Sequence, residues 1–305
     1  MSVILVTDTW ERIRRVVELL DAQSVKERLE VLFLTPEPDT VEVGVAAFDG
    51  FAAVRVLRVD SVYPLSVARA IGVRAAAAPL VFIGETHSYP EPGWAEALIE
   101  AATSADVVVP AFSNPNPREA LSWAAFLADY GIWGQGREPG PLDRWPGYNC
   151  ACSRSLLLSL GEDLDAAIGR AGEIWNRLPA AHFEPRARMG HLNVSRPREW
   201  MDERYLAGLI VGTDRAVGWS VMRRAAYALA APAIFVVVVW RGLPAVRWAR
   251  RQGRLPRGTL VAWTFGMLVR VAGEAVAYVF GMSEDARLRM NAYEVRKTSY
   301  VVTGP

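Results

Sequence analysis

Glu85 and His87 stand two residues apart in PLVFIGETHSYPEPGW, Pro79 to Trp94, where an apolar run ends in an acid, a histidine and a proline-bounded turn. Side chains two apart on extended backbone point to the same side. A carboxylate and an imidazole so placed could share a divalent cation, and their mixed oxygen and nitrogen donors suit manganese or zinc better than magnesium. The same residues also have a purely local use, with Glu85 capping the turn and His87 hydrogen-bonding its loop. Glu173, in GEIWNRL, precedes Arg177 by four residues, the spacing of an acid–base pair on one helix face. Trp123, Trp133, Trp145 and Tyr148 could stack on a sugar or a lipid, or pack in a core.

Such residues need elements to hold them. Short apolar runs alternate with amphipathic stretches: SVILVT, a helix-like segment with Trp10, Ile13, Val17 and Leu20, then LEVLFLT and AVRVLRV. A helical stretch (Pro64 to Ala77), PLVFIGE, a helix from Gly93 to Ala102 and the strand DVVVP follow. This alternation predicts an α/β fold, a mostly parallel twisted sheet with helices on both faces and its site beyond the strands' carboxyl ends. Ala111 to Tyr148, rich in Pro, Gly and Trp, reads as long loops around a helix near Ser122 to Ala128. RSLLLSLG and the run Asp163 to Leu178 read as helical, and HFEPRARMGHLN as an edge strand or hairpin.

The chain has 305 residues, 51 % of them hydrophobic, and a formal net charge of +1. Its mean hydropathy is +0.13. Residues 1–200 carry about 19 basic against 26 acidic side chains, and residues 201–305 about 15 against 7. This divides the chain into an α/β part, 1–200, and a helical, arginine-rich part, 201–305. The only cysteines, Cys150 and Cys152, are too close for an ordinary cross-link and too few for a zinc ribbon, which points to a reducing compartment. The start of the chain lacks the pattern of a secretory leader, so the α/β part is expected in the cytoplasm.

From Trp219 onward the character is that of membrane contact. The uncharged run Ala225 to Trp240 would reach about 24 Å as a helix, short of the roughly 30 Å hydrocarbon core, and Pro232 interrupts it. The second apolar stretch, Thr259 to Met282, carries Arg270 and Glu274 on one helical face. A spanning hairpin would place the intervening arginines, from Arg241 to Arg257, on the far side, against the positive-inside tendency. Helices that lie in the interface, or dip in and return, keep them beside anionic headgroups on the cytoplasmic face. A helix pair that joins an oligomer or closes a soluble core is the remaining alternative.

The ordered motifs resemble the family-2 glycosyltransferases, which have the GT-A fold. In that family a strand ending in an Asp-x-Asp-like triplet, followed by Pro-x-Pro-Gly-Trp-like residues, holds the metal and the sugar diphosphate. Glu85, Thr86 and His87 occupy the triplet's place, within Gly-Glu-Thr-His-Ser, and Pro90, Pro92, Gly93 and Trp94 follow. Upstream, VARAIGVRAAAAPLVFI is similar to the family's Ala-Arg-Asn-x-Gly segment, with Arg69 and Gly72 matching and Ala70 in place of Asn. Downstream, GYNCACSRSLLLSLG resembles the acceptor-side loop and helix, with Gly147, Asn149 and Arg154 in place, and FEPRARMGHLN resembles the strand closing the site. The resemblance covers roughly Ser2 to Arg196, and both acids of the triplet are altered.

It implies an inverting hexosyltransferase-like enzyme that moves a sugar from a nucleotide-sugar donor to a hydroxyl acceptor, lipid-linked if the C-terminal part sits on a membrane. Thr7, Asp8 and Glu37 would contact the nucleotide, Arg69 and Glu85 the phosphates, and Trp123, Tyr148 and Asn149 the acceptor. Glu85, His87 and His191 would hold a divalent cation, manganese or magnesium, and Glu173, at the place of the family's Glu-Asp pair, would be the base. The altered triplet also suits a glycosyltransferase-like binding scaffold without turnover. A nucleotidyltransferase is disfavoured because VTDTWERIRR lacks the glycines of a nucleotide loop, and nucleic-acid binding because the α/β part is acidic.

Overall fold

A computed structural model describes residues 1–170, 177–253 and 255–302. The chain forms two compact units, Met1–Ser113 with Gln135–His191, and Asn114–Gly134 with Leu192–Pro305.

Among the described residues, the first unit is built on a nine-stranded sheet. Its strands are β1 (Ser2–Val6), β2 (Glu30–Thr35), β3 (Ala53–Arg58), β4 (Leu80–Ile83), β5 (Ser88–Pro90), β6 (Val107–Ser113), β7 (Gly140–Leu142), β8 (Ala151–Ser153) and β9 (Ala181–His191). They lie in the order β3-β2-β1-β4-β8-β6-β9-β5, with β7 also paired to β9. The β3-β2-β1-β4 half is parallel throughout, as is β6 with β9. Strand β8 enters antiparallel between β4 and β6, and β5 and β7 run antiparallel to β9. The expected sheet is present, therefore, with a mixed half that holds the later motifs. HFEPRARMGHLN is not an edge strand: β9 lies between β6 and β5.

Every residue of β1 and of β2 is buried, the signature of strands covered on both faces. Helix α1 (Trp10–Asp21) buries Ile13, Val16, Val17 and Leu20, one stripe at helical spacing. Helix α3 (Leu65–Ala75) approaches β1 closely through Gly72, where a Cβ would come within 2.6 Å of Ile4 Cγ2. Helix α4 (Trp94–Ala101) is anchored by Trp94, fully buried, whose ring meets Phe82 of β4 edge-on at 4.7 Å.

The second unit is helical: α5 (Ala120–Asp129), α8 (Pro197–Arg215), α9 (Val221–Leu229), α10 (Ala231–Gln252), α11 (Thr259–Phe280) and α12 (Glu284–Val295). Its core gathers Ala124, Leu127, Trp200, Ala245, Val246, Trp263 and Met267. Helices α8 and α11 touch backbone to backbone, since a Cβ on Gly208 would stand 1.9 Å from the Arg270 carbonyl oxygen and one on Gly273 2.3 Å from that of Tyr205. Arg204 makes a bidentate pair with Asp129 at 2.8 and 2.6 Å. Glu274 accepts from Arg215 and from the Tyr278 hydroxyl within this unit.

Pro232 does not break a helix. It falls in the first turn of α10, where its missing N–H costs no bond, and the apolar run splits into α9 and α10 at Ala230. Most of the expected arginine-rich connector, up to Gln252, is the continuation of α10. Both α10 and α11 are long and apolar enough to cross a membrane. Val236, Trp240, Val261, Phe265, Val279 and Phe280 are exposed on them.

Candidate metal centre

Parallel β4 delivers its chain to the carboxyl edge of the sheet beside β1, and the backbone N–H of Gly84 still donates to the Ile4 carbonyl at 2.9 Å. Because β1 is flanked by β2 and β4, the chain reverses its direction of winding here, the position at which open α/β sheets form their crevice. Glu85 and His87 follow at once. Strand β5 then pairs with β9 so that Ser88 stands opposite His191. The pairing of β8 with β4 carries in Asn149, whose N–H donates to the Ile83 carbonyl at 2.7 Å. Asn149 adopts φ 57°, a left-handed conformation that asparagine tolerates better than most residues.

Three elements distant in sequence thereby converge. Glu85 Oε2 lies 3.2 Å from His87 Nε2 and 3.4 Å from His191 Nε2. The two imidazoles meet edge to face, ring centres 4.9 Å apart. One ligand atom from each of the three residues lies within 4.8 Å of the others. Asn149 Nδ2 donates to Glu85 Oε2 at 2.5 Å and to Ser88 Oγ at 3.0 Å, and the Ser88 hydroxyl donates to Glu85 Oε2 at 3.0 Å. The cluster is enclosed, with Glu85 4 %, His87 0 % and His191 1 % exposed.

The residues fit a divalent cation. Two donors at about 2.1 Å from one ion, 90–110° apart, stand about 3.0–3.4 Å from each other, which matches both carboxylate–imidazole separations. Glu85 Oε2, the oxygen near both imidazoles, also accepts from Ser88 and Asn149, while Oε1 is buried with no hydrogen-bond partner among the described residues. Burial by itself would raise the Glu85 carboxyl, yet the charge of His87 and the contacts with His191 and His87 hold it well below the usual carboxylate range. A buried carboxylate requires a compensating positive charge, either a proton on an imidazole or a metal ion.

Other expected site residues fall as follows. Thr7 is buried after β1 and donates through Oγ1 to the Thr9 carbonyl at 2.7 Å, while Asp8 pairs with Arg12 at 2.6 Å. Glu37 is exposed ahead of helix α2 (Pro38–Val45). Arg69 is buried on α3 and its guanidinium lies over the Tyr148 ring at 4.4 Å, which joins a residue expected at the phosphates to one expected at the acceptor. Trp123 belongs to the second unit, where its indole donates to the Pro117 carbonyl at 2.9 Å. Glu173 lies outside the described residues; Arg177 pairs with Asp163 at 2.9 Å. Cys150 and Cys152 are free thiols whose sulfurs are 3.8 Å apart. Ser88 escaped the sequence reading because a serine after a strand carries no signal of its own.

No family profile matches the sequence, and no curated protein matches it. Solved structures do. The mannosyltransferase PcManGT of Pyrobaculum calidifontis, in complex with GDP-Man and Mn2+, is similar at a TM-score of 0.58 and 16 % identity over 92 % of this chain and 86 % of that chain. GalNAc-T7 with UDP, GalNAc and Mn2+ gives 0.49 and 18 % identity, over 63 % of this chain and 42 % of that chain. TarS 1–349 of S. aureus gives 0.47 and 12 % identity, over 93 % and 92 %. The fold is glycosyltransferase-like, on the likeness to the mannosyltransferase.

Proposed function

We propose that the chain is a glycosyltransferase that takes a sugar from a nucleotide-sugar donor, with inversion, and works against the cytoplasmic face of a membrane. The observation that carries this reading is the convergence of Glu85, His87 and His191 at the β1/β4 crevice of a glycosyltransferase fold. A divalent cation there, manganese or magnesium, would neutralise charge growing on the departing diphosphate, a large part of such catalysis. Thr7, Asp8 and Glu37 follow β1 and β2, where they would meet base and ribose, and Arg69 would face a phosphate. Glu173 would take the acceptor hydroxyl proton as that oxygen bonds to the anomeric carbon and the carbon–oxygen bond to the diphosphate breaks. Glu173 enters from the resemblance of GEIWNRL alone. A positioned base contributes about 100- to 10,000-fold.

The acceptor would be a hydroxyl compound, lipid-linked in keeping with the membrane reading, and Tyr148 and Asn149 would contact it. Exposed apolar residues along α9 to α11 support a peripheral or re-entrant seat on anionic lipids, as does the lack of any Asp or Glu between Asp214 and Glu274. The division at residue 200 and association through the C-terminal helices belong to the same proposal.

Labelled nucleotide sugars, incubated with membrane extract and Mn2+, should give transfer with the wild type and about 100-fold less or lower with Glu173→Gln. A second reading, a binding scaffold without turnover, is favoured by the enclosure of the cluster. Absence of transfer from every donor, with Mn2+ bound, would establish it in place of the enzyme.

A further inference from the structure

The open end of helix α11 is organised as an anion site. Gly258, at φ 85°, stands ahead of the helix, and no side chain among the described residues caps it. The Thr259 N–H reaches the Pro256 carbonyl at 3.2 Å and the Ala262 N–H that of Gly258 at 2.9 Å, which among the described residues leaves the Leu260 and Val261 N–H groups at the mouth of a 22-residue helix, its positive end. A cavity of about 560 Å³ opens there, lined among others by Arg250, Leu255, Pro256, Thr259, Leu260 and Val261. Thr259 is 1 % exposed, and its Oγ1 has no hydrogen-bond partner among the described residues. A hydroxyl buried without a partner is costly unless something fills its place.

Three features define the missing partner. Backbone N–H groups, a hydroxyl and the Arg250 guanidinium together suit a phosphate oxygen cluster. No acidic side chain occurs from Arg215 to Gly273, so nothing on this stretch opposes an anion. The remaining walls, Leu255, Pro256, Leu260 and the exposed Val261, are apolar, and Phe265 and Leu268, four and seven residues beyond Val261 and so on its face of the helix, are exposed as well. We infer that the cavity at the N-terminus of α11 binds the phosphate group of an anionic phospholipid, with Thr259, Arg250 and the first-turn N–H groups on the phosphate and the apolar wall toward the acyl chains. The lipid as source rests on the membrane reading above; free phosphate shares the polar half of this chemistry.

Flotation of the full-length protein with vesicles of phosphatidylcholine, alone or mixed with phosphatidylglycerol, tests the site, with titration of inorganic phosphate as the parallel arm. Binding should require phosphatidylglycerol and fall about tenfold in both Thr259→Val and Arg250→Gln, with the melting temperature of Thr259→Val unchanged or raised. A purely structural hydroxyl would instead lower that melting temperature and spare lipid binding, which would overturn the inference. Phosphate binding that is sensitive to Thr259→Val without vesicle binding would overturn the lipid source. Vesicle binding by wild type and Thr259→Val alike would refute this site while sparing the membrane reading; no vesicle binding at all would remove both.

Discussion

Ser88 faces His191 across the antiparallel pairing of β5 with β9, and the Ser88 hydroxyl donates to Glu85 Oε2 at 3.0 Å. A three-residue strand thus sets how far the last side chain of β9 reaches toward the carboxylate supplied by the end of β4. The register matters because a slip of one residue would turn His191 to the opposite face.

Metal affinity should follow this geometry. Glu85→Gln, His87→Ala and His191→Ala each remove a donor and are expected to weaken Mn2+ binding by more than about 100-fold. Asn149→Ala, which touches Glu85 without being a ligand, should cost about 10- to 100-fold. Electron paramagnetic resonance titration of Mn2+ measures these; equal affinity across the series would remove the site.

Asp129 should make the second unit acid-sensitive. Burial would raise its carboxyl, and the charge and paired hydrogen bonds of Arg204 more than reverse this, so it lies below its ordinary 3.8. A carboxyl depressed on folding contributes stability that is fully present above its ordinary value and is lost as pH falls through the folded one. The stability difference between wild type and Asp129→Asn, followed by urea denaturation, is therefore expected to hold above the ordinary carboxylate range and to shrink as pH falls below it. A difference that grows on acidification would contradict the assignment.

Gly208→Ala should be strongly destabilising, because its Cβ would stand 1.9 Å from the Arg270 carbonyl oxygen and backbone cannot rotate away as a side chain can. Forcing α8 from α11 is expected to cost about 3 kcal/mol. A melting temperature within a degree or so of wild type would show that the two helices do not touch in this way.

Trp240 is 69 % exposed on α10, so a charge there should leave folding unaltered. Trp240→Glu is expected to keep the wild-type circular dichroism and melting temperature while reducing binding to anionic vesicles about tenfold or more. Unchanged vesicle binding would place the membrane contact elsewhere.

Much of this protein was legible from local pattern. SVILVT, LEVLFLT and PLVFIGE announce buried strands as short unbroken apolar runs, the pattern of strands covered on both faces, and Trp10 to Leu20 an amphipathic helix through its period of 3.6 residues. Glu85 and His87 are legible as an acid and an imidazole two positions apart just beyond an apolar run, although they occupy the turn after β4 and not extended backbone.

Local pattern carries no record of which distant strands become neighbours. That β8 slots between β4 and β6, bringing Asn149 to Glu85, and that β9 runs inside the sheet to deliver His191, was decided by tertiary pairing. So was the membership of Asn114–Gly134, from the middle of the chain, in the C-terminal helical unit. Pro232 likewise reads as an interruption in sequence and becomes a helix start in the fold. In each case the deciding contacts join segments far apart along the chain, whose meeting depends on loop closure and side-chain packing rather than on the residues adjacent in sequence.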